Sequence, residues 1–193
     1  MSASARASLL VLGTRGAGGS PGVRLGAVAP RLASQARCPV VFATMDGRPA
    51  SHEIVVGTDG SYHAAALLEF GFGEADARNA KLTALHIWAH PQAGGLESYH
   101  DWMLSVGPTN ETAAALLSEQ VAPWRHKYPD VLVTESTVHG NPGRALVLAS
   151  ERADLIVIGA RRGGLGLASA LGPVADALLH HMQCAVAVIP GGE

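Results

Sequence analysis

Two stretches of this 193-residue chain repeat each other, and that repetition limits the folds open to it. Ala7 to Thr44, ASLLVLGTRGAGGSPGVRLGAVAPRLASQARCPVVFAT, aligns with Ala153 to Pro190 without gaps at an offset of 146. Thirteen of thirty-eight positions are identical, among them Gly13/Gly159, Arg15/Arg161, Gly26/Gly172 and Cys38/Cys184. Random matching would give only a few.

The second copy shows what the unit is. Leu155 to Ile158 is an unbroken run of branched apolar residues ending at Gly159, the pattern of a strand buried on both faces of a parallel sheet. Val174, Leu178, Leu179 and Met182 then keep helical spacing, and Ala185 to Ile189 is a second apolar run closed by Pro190. Each copy therefore reads as strand, glycine-rich loop, helix, strand. Glycines between a buried strand and a helix start allow a tight turn and turn backbone N–H groups toward the positive end of the helix dipole, which suits a phosphate. Neither a GxxxxGK loop followed by Ser or Thr nor a clean GxGxxG is present, so neither standard phosphate loop is assigned.

Between the copies the chain alternates. Glu53 to Thr58 is a strand with Asp59 at its carboxyl end, and Ser61 is the expected N-cap of a helix from Tyr62 to Asn79, with Ala65, Leu68, Phe70 and Phe72 on its apolar side. Lys81 to Trp88 is the second strand, followed by a long aromatic loop, His90 to Pro108. Thr109 to His126 is a helix opened by Thr109 or Asn110 and ended at Tyr128–Asp130, and Val131 to Val138 is the third strand. His139-Gly140-Asn141-Pro142 turns into a helix over 143–152 with Pro142 as its first residue. The order β-α-β-α-β-α-β-α-β over residues 53–190 implies an α/β fold, a doubly wound five-stranded parallel sheet of Rossmann-like type, preceded by a β-α-β half-domain. The expected organisation is 1–44 as the C-terminal fragment of a first copy, 45–52 as linker and 53–193 as a complete domain. Ligands in such sheets sit at the carboxyl ends of the strands where the winding reverses, so Asp59 and the Gly159 loop share a crevice if the first and fourth strands are neighbours.

Composition narrows function by exclusion. A net charge of −2 without a basic run argues against nucleic acid or an anionic membrane as partner. No apolar run reaches the roughly 18 to 20 residues that span a bilayer. The start, MSASARASLLVLG, is read as a strand because Leu9 to Leu12 repeats Leu155 to Ile158, and the protein is expected in the cytoplasm. Cys38 and Cys184, at equivalent positions, read as small buried hydrophobes. His180 and His181 point about 100° apart on a helix and have no accompanying ligand, and the other histidines show no metal spacing. No nucleophile elbow, carboxylate pair or triad supports an enzyme, and His100 beside Asp101 lies in a loop that would not fix an acid/base pair.

Taken together, IVVGTDGS, LTALHIW, VHGNPGRAL, the Gly159 loop, ALLHH and AVAVIP resemble the universal stress protein family over essentially all of 53–190, and residues 7–44 resemble the tail of a second copy. The resemblance implies a stress-response module without enzymatic activity. Many members bind ATP through G-x2-G-x9-G followed by Ser or Thr. Here Gly159 and Gly172 match, but Arg162 replaces the second glycine and Pro173 the Ser/Thr. Pro173 has neither hydroxyl nor N–H, so two phosphate donors are missing; Arg161 and Arg162 supply charge in the alternative reading, an ATP-binding switch. Gly13, Gly16 and Gly26 of the first copy fit the spacing, with Ala27 in place of Ser/Thr, yet no Asp-bearing strand accompanies them in this sequence unless another chain provides one. The candidate nucleotide site is thus Asp59, Gly140, Gly159, Arg161, Arg162 and Gly172, degenerate toward ATP, with Mg only as a companion of ATP. Gly140 and Asn141 also read as a helix entry turn. The last strand would be an apolar edge, so the final strands of the two copies are expected to pair, within the chain or as a homodimer. A further protein partner is left unnamed.

Overall fold

A computed structural model describes residues 6–13, 33–44, 50–88, 109–160 and 171–191 of the chain. Their elements are β1 (Leu10–Gly13), β2 (Val40–Ala43), β3 (Glu53–Thr58), α1 (Ala64–Arg78), β4 (Lys81–Trp88), α2 (Asn110–Lys127), β5 (Val133–His139), α3 (Pro142–Ser150), β6 (Leu155–Gly159), α4 (Pro173–His181) and β7 (Ala185–Ile189). The strands form one seven-stranded sheet in the order β1-β2-β7-β6-β3-β4-β5. Every pairing is parallel except β2 with β7.

The five parallel strands of residues 53–190 are those expected, and β3 and β6 are neighbours at the reversal of winding. The expected half-domain does not stand apart. Its strands extend the same sheet, because β2 takes the apolar edge of β7 with Val40, Val41 and Phe42 opposite Val188, Ala187 and Val186. Of the two pairings open to the final strands, the one within the chain forms, and it leaves no free β7 edge for the homodimer expected there. β7 has no side-chain charge or proline to protect such an edge, so covering it is the physical requirement that β2 meets.

Alternate strand residues feed two cores. Val55, Ile156, Ile158, Val186 and Val188 pack against α3 and α4, joined by Val40 and Phe42 of β2. Ile54, Val56, Leu82, Leu155 and Val157 pack beneath α1 and α2 on the opposite face. Cys38 and Cys184 are free thiols, equally buried, as their reading as small hydrophobes requires.

α1 corrects the sequence reading twice. Its buried face is Ala64, Leu67, Leu68, Gly71, Phe72 and Ala75, not the side marked by Ala65 and Phe70. The helix lies close on β3 at Gly71, where a Cβ would collide with Val56 Cγ2. The N-cap is His63, with no side-chain cap, rather than Ser61, whose carbonyl accepts from Ala64 N–H at 3.0 Å. α2 does open at Thr109, in a capping box with Thr112. The expected loop over 90–108 lies outside the described residues, as do His100 and Asp101. Among the described residues no helix is long and apolar enough to cross a membrane.

Candidate functional site

The carboxyl ends of β3 and β6 open into a cleft of about 530 Å³. β3 stops because the chain turns sharply after Thr58. Gly60 takes φ +78°, and a side chain there would strike Leu116 of α2 and His86 of β4, so the position needs glycine. Gly60 N–H donates to Thr58 Oγ1 at 3.0 Å, and Ser61 N–H donates to Asp59 Oδ1 at 3.1 Å, an Asx turn that fixes the Asp59 carboxylate at the rim. Two distant elements clamp this turn. Gln120 Nε2 of α2 donates to the carbonyls of Gly60 and Ser61 at 2.9 and 3.3 Å. His86 Nδ1 lies 3.2 Å from the Thr58 carbonyl, which only accepts, so that nitrogen carries the hydrogen.

The opposite wall comes from the second copy of the repeat. β6 ends at Gly159, and α4 begins at Pro173 after Gly172, whose φ of +87° and ψ of 161° suit glycine alone. Pro173 at the first helical position is well placed for α4 and contributes no N–H toward the cleft. Leu146 of α3 supplies an apolar floor. It reaches β3 because Gly57 has no Cβ, which would stand 2.7 Å from Leu146 Cδ2.

Of the predicted residues, Asp59, Gly159 and Gly172 line this one cleft. Gly140 does not line it: it turns the chain at φ +150° into α3, where Asn141 caps the helix by accepting from Arg144 N–H at 3.0 Å. Gly140 and Asn141 thus form the helix entry turn. Arg161 and Arg162 lie outside the described residues, as do Gly16 and Gly26. Tyr62, His63, Pro142, Leu146 and Gly191 line the cleft without having been expected. Tyr62 and His63 follow directly on the glycine turn, and their ring centroids lie 4.0 Å apart with the planes tilted by 36°, so their place beside Asp59 was a signal within reach. Leu146 gave none, since its approach depends on a missing Cβ ninety residues away. Among the described residues no three His, Cys, Asp or Glu side chains come together to hold a metal.

This cleft sits where the model of the universal stress protein family matches the chain, over residues 51–190. The chain belongs to the universal stress protein family. A universal stress protein of Mycobacterium tuberculosis is 37% identical over 163 residues, covering 82% of this chain and 53% of the relative. A second from that species is 34% identical over 187 residues, covering 94% of this chain and 61% of the relative. The chain thus spans somewhat more than half the length of these relatives. Among solved structures, a universal stress protein from Archaeoglobus fulgidus superposes with a TM-score of 0.69 at 19% identity, covering 100% of this chain and 64% of that one. Another, from Lactobacillus plantarum, gives 0.57 at 20% identity over 74% of this chain and 99% of that one. A universal stress protein in complex with cAMP gives 0.50 at 21% identity, over 75% of this chain and all of its own. At these identities the structural likenesses establish the fold.

Proposed function

We propose that this universal stress protein is a non-enzymatic stress-response module of the cytoplasm whose cleft takes an adenine nucleotide weakly. Asp59 is the acceptor at the base end, and Gly159 and Gly172 admit the ligand close to the backbone. The cleft stands at the switch point of the sheet, where a ligand contacts strand ends and a helix start together. A structural relative that carries cAMP has the same fold, which supports a nucleotide as the ligand class. One observation carries the weakness: Pro173 is the first residue of α4, so the phosphate end of the cleft loses both a hydroxyl and an N–H donor. Mg enters only with ATP. Residues 1–44 act as a fragment of a first copy that occupies the β7 edge, so regulation by association works through sheet edges other than β7.

Calorimetric titration of the full chain with ATP, with and without Mg, and with cAMP tests this reading. Restoring the donor by Pro173→Ser, together with Arg162→Gly, raises affinity about tenfold, the equivalent of roughly 1.4 kcal/mol. No gain, with the wild type already tight, would transfer the phosphate contacts to Arg161 and Arg162 and make the chain an ATP-dependent switch.

A further inference from the structure

Among the described residues that line the cleft, His63 is the one whose side chain can carry a positive charge. It takes the N-cap place of α1, yet its side chain caps nothing. Its ring meets the ring of Tyr62, and among the described residues neither ring nitrogen has a hydrogen bond. The residue is half-buried, so a polar group is held in the cleft wall with its hydrogen-bonding capacity unspent on the protein.

Its neighbours fix where in the cleft it stands. Gly191 is the second residue after β7, and a Cβ there would lie 3.6 Å from His63 Cε1 and 3.4 Å from the Ala160 carbonyl oxygen. Ala160 follows β6 directly and donates its N–H to the Ile189 carbonyl at 2.8 Å. The imidazole therefore lies at the ends of β6 and β7, where the chain leaves Gly159. An anion bound there finds no N–H from Pro173 at the start of α4. The other ionisable side chains lining the cleft, Asp59 and Tyr62, belong to the same turn as His63. The lining residues of α3, α4, β6 and β7 do not ionise, and Asp176 of α4 faces His180, with 3.7 Å between its Oδ1 and the ring Nδ1.

We propose, on the adenine-nucleotide reading of the cleft, that His63 is the contact for the ligand's phosphate and makes nucleotide binding pH-dependent. The imidazolium donates a charge-assisted hydrogen bond to the phosphate, and the charge is lost as pH rises through the range in which histidine titrates. An anion that prefers the protonated ring takes up a proton as it binds, so affinity increases as pH falls. A nucleoside without phosphate has no such dependence. Phosphate contacts from Arg161 or Arg162 would give none either, since guanidinium stays charged throughout.

Calorimetric titration of the full chain with cyclic AMP and with adenosine between pH 8 and pH 5.5 tests this. Cyclic AMP is the probe because a phosphodiester keeps one charge across that range, whereas a monoester loses part of its charge near pH 6. Cyclic AMP should bind about tenfold tighter at pH 5.5 than at pH 8, with adenosine unchanged. His63→Gln should flatten the profile at the weaker affinity, and His63→Lys should flatten it at the tighter one. Equal urea midpoints for the wild type and His63→Gln show that the loss is not one of folding. A flat cyclic AMP profile in the wild type, or a slope that survives in His63→Gln, overturns the role of His63 while leaving the nucleotide site standing if adenosine binds. Failure of both ligands to bind at every pH overturns the role and the nucleotide reading together.

Discussion

Residues 9–13 read LLVLG and residues 155–159 read LIVIG, and the two strands they form lie in one sheet. β6 sits between β7 and β3 with a helix layer on each face, and its residues 155–158 are buried. Among the described residues β1 has one partner, β2, and its residues alternate between half-buried and exposed. Burying a valine or leucine side chain stabilises by roughly 1.5–3 kcal/mol, so nearly the same residues contribute several kcal/mol in one place and little in the other. The difference lies in what stands beside them. β3 and α1 complete the site around β6, and no described residues do so for β1.

Charge substitution separates the two strands most sharply. Val157→Asp places a carboxylate among the residues beneath α1 and should cost more than about 4 kcal/mol, enough to unfold the domain, whereas Val11→Asp should stay within about 0.5 kcal/mol. Urea unfolding of both variants checks this, and equal midpoints would break the comparison. A smaller effect comes from the helix that covers Val157. Gly71→Ala drives a methyl into Val56 and should destabilise by about 1–3 kcal/mol, while Gly73→Ala, whose nearest neighbour would be Tyr128 Oη at 3.8 Å, should stabilise by up to about 1 kcal/mol through helix propensity. Opposite signs in thermal or urea unfolding confirm that α1 lies against β3 along the Gly71 side.

The smallest effect belongs to the residue before each strand. Asp154 precedes β6 and Ser8 is its repeat counterpart. Partial burial pushes the Asp154 carboxyl up, but hydrogen bonds from the Ser51 backbone and hydroxyl and from the His52 backbone outweigh it and hold the group below its ordinary value. A carboxyl depressed in the folded state stabilises above its unfolded value near 3.8, and this contribution disappears as pH falls through the lower folded value. Asp154→Ser should therefore lower stability at neutral pH slightly and flatten its decline below about pH 4. An unchanged acid profile would show that the 50–52 segment is held by other bonds.

Much of the fold was legible because it follows from local patterns. Lys81–Trp88 and Ala185–Ile189 have the bounds their apolar runs imply, Thr109 caps α2 as a Thr before a helical segment should, and Pro142 opens a helix. α1 was harder. Half of its buried face is Ala and Gly, which carry little hydrophobic signal and let the helix approach β3. Part of the site was legible for the same reason: Asp59, Gly159 and Gly172 lie at strand ends and helix starts that the pattern locates. That Gly140 lies off the cleft lining was not legible, because a glycine turn into a helix reads alike whether or not it faces the cleft.

The sequence by itself determined the repeat, the alternation of strand and helix, and that Pro173 brings neither a hydroxyl nor an N–H to the start of its helix, since each depends on residue type and spacing along the chain. Tertiary structure alone decided which face of α1 is buried, that Leu146 reaches the cleft beside β3, and that β2 closes the β7 edge. It also decided the unequal burial of Val11 and Val157. Burial is set by neighbours far away in the chain, and two segments of nearly identical sequence cannot record which of them will have a strand and a helix beside it.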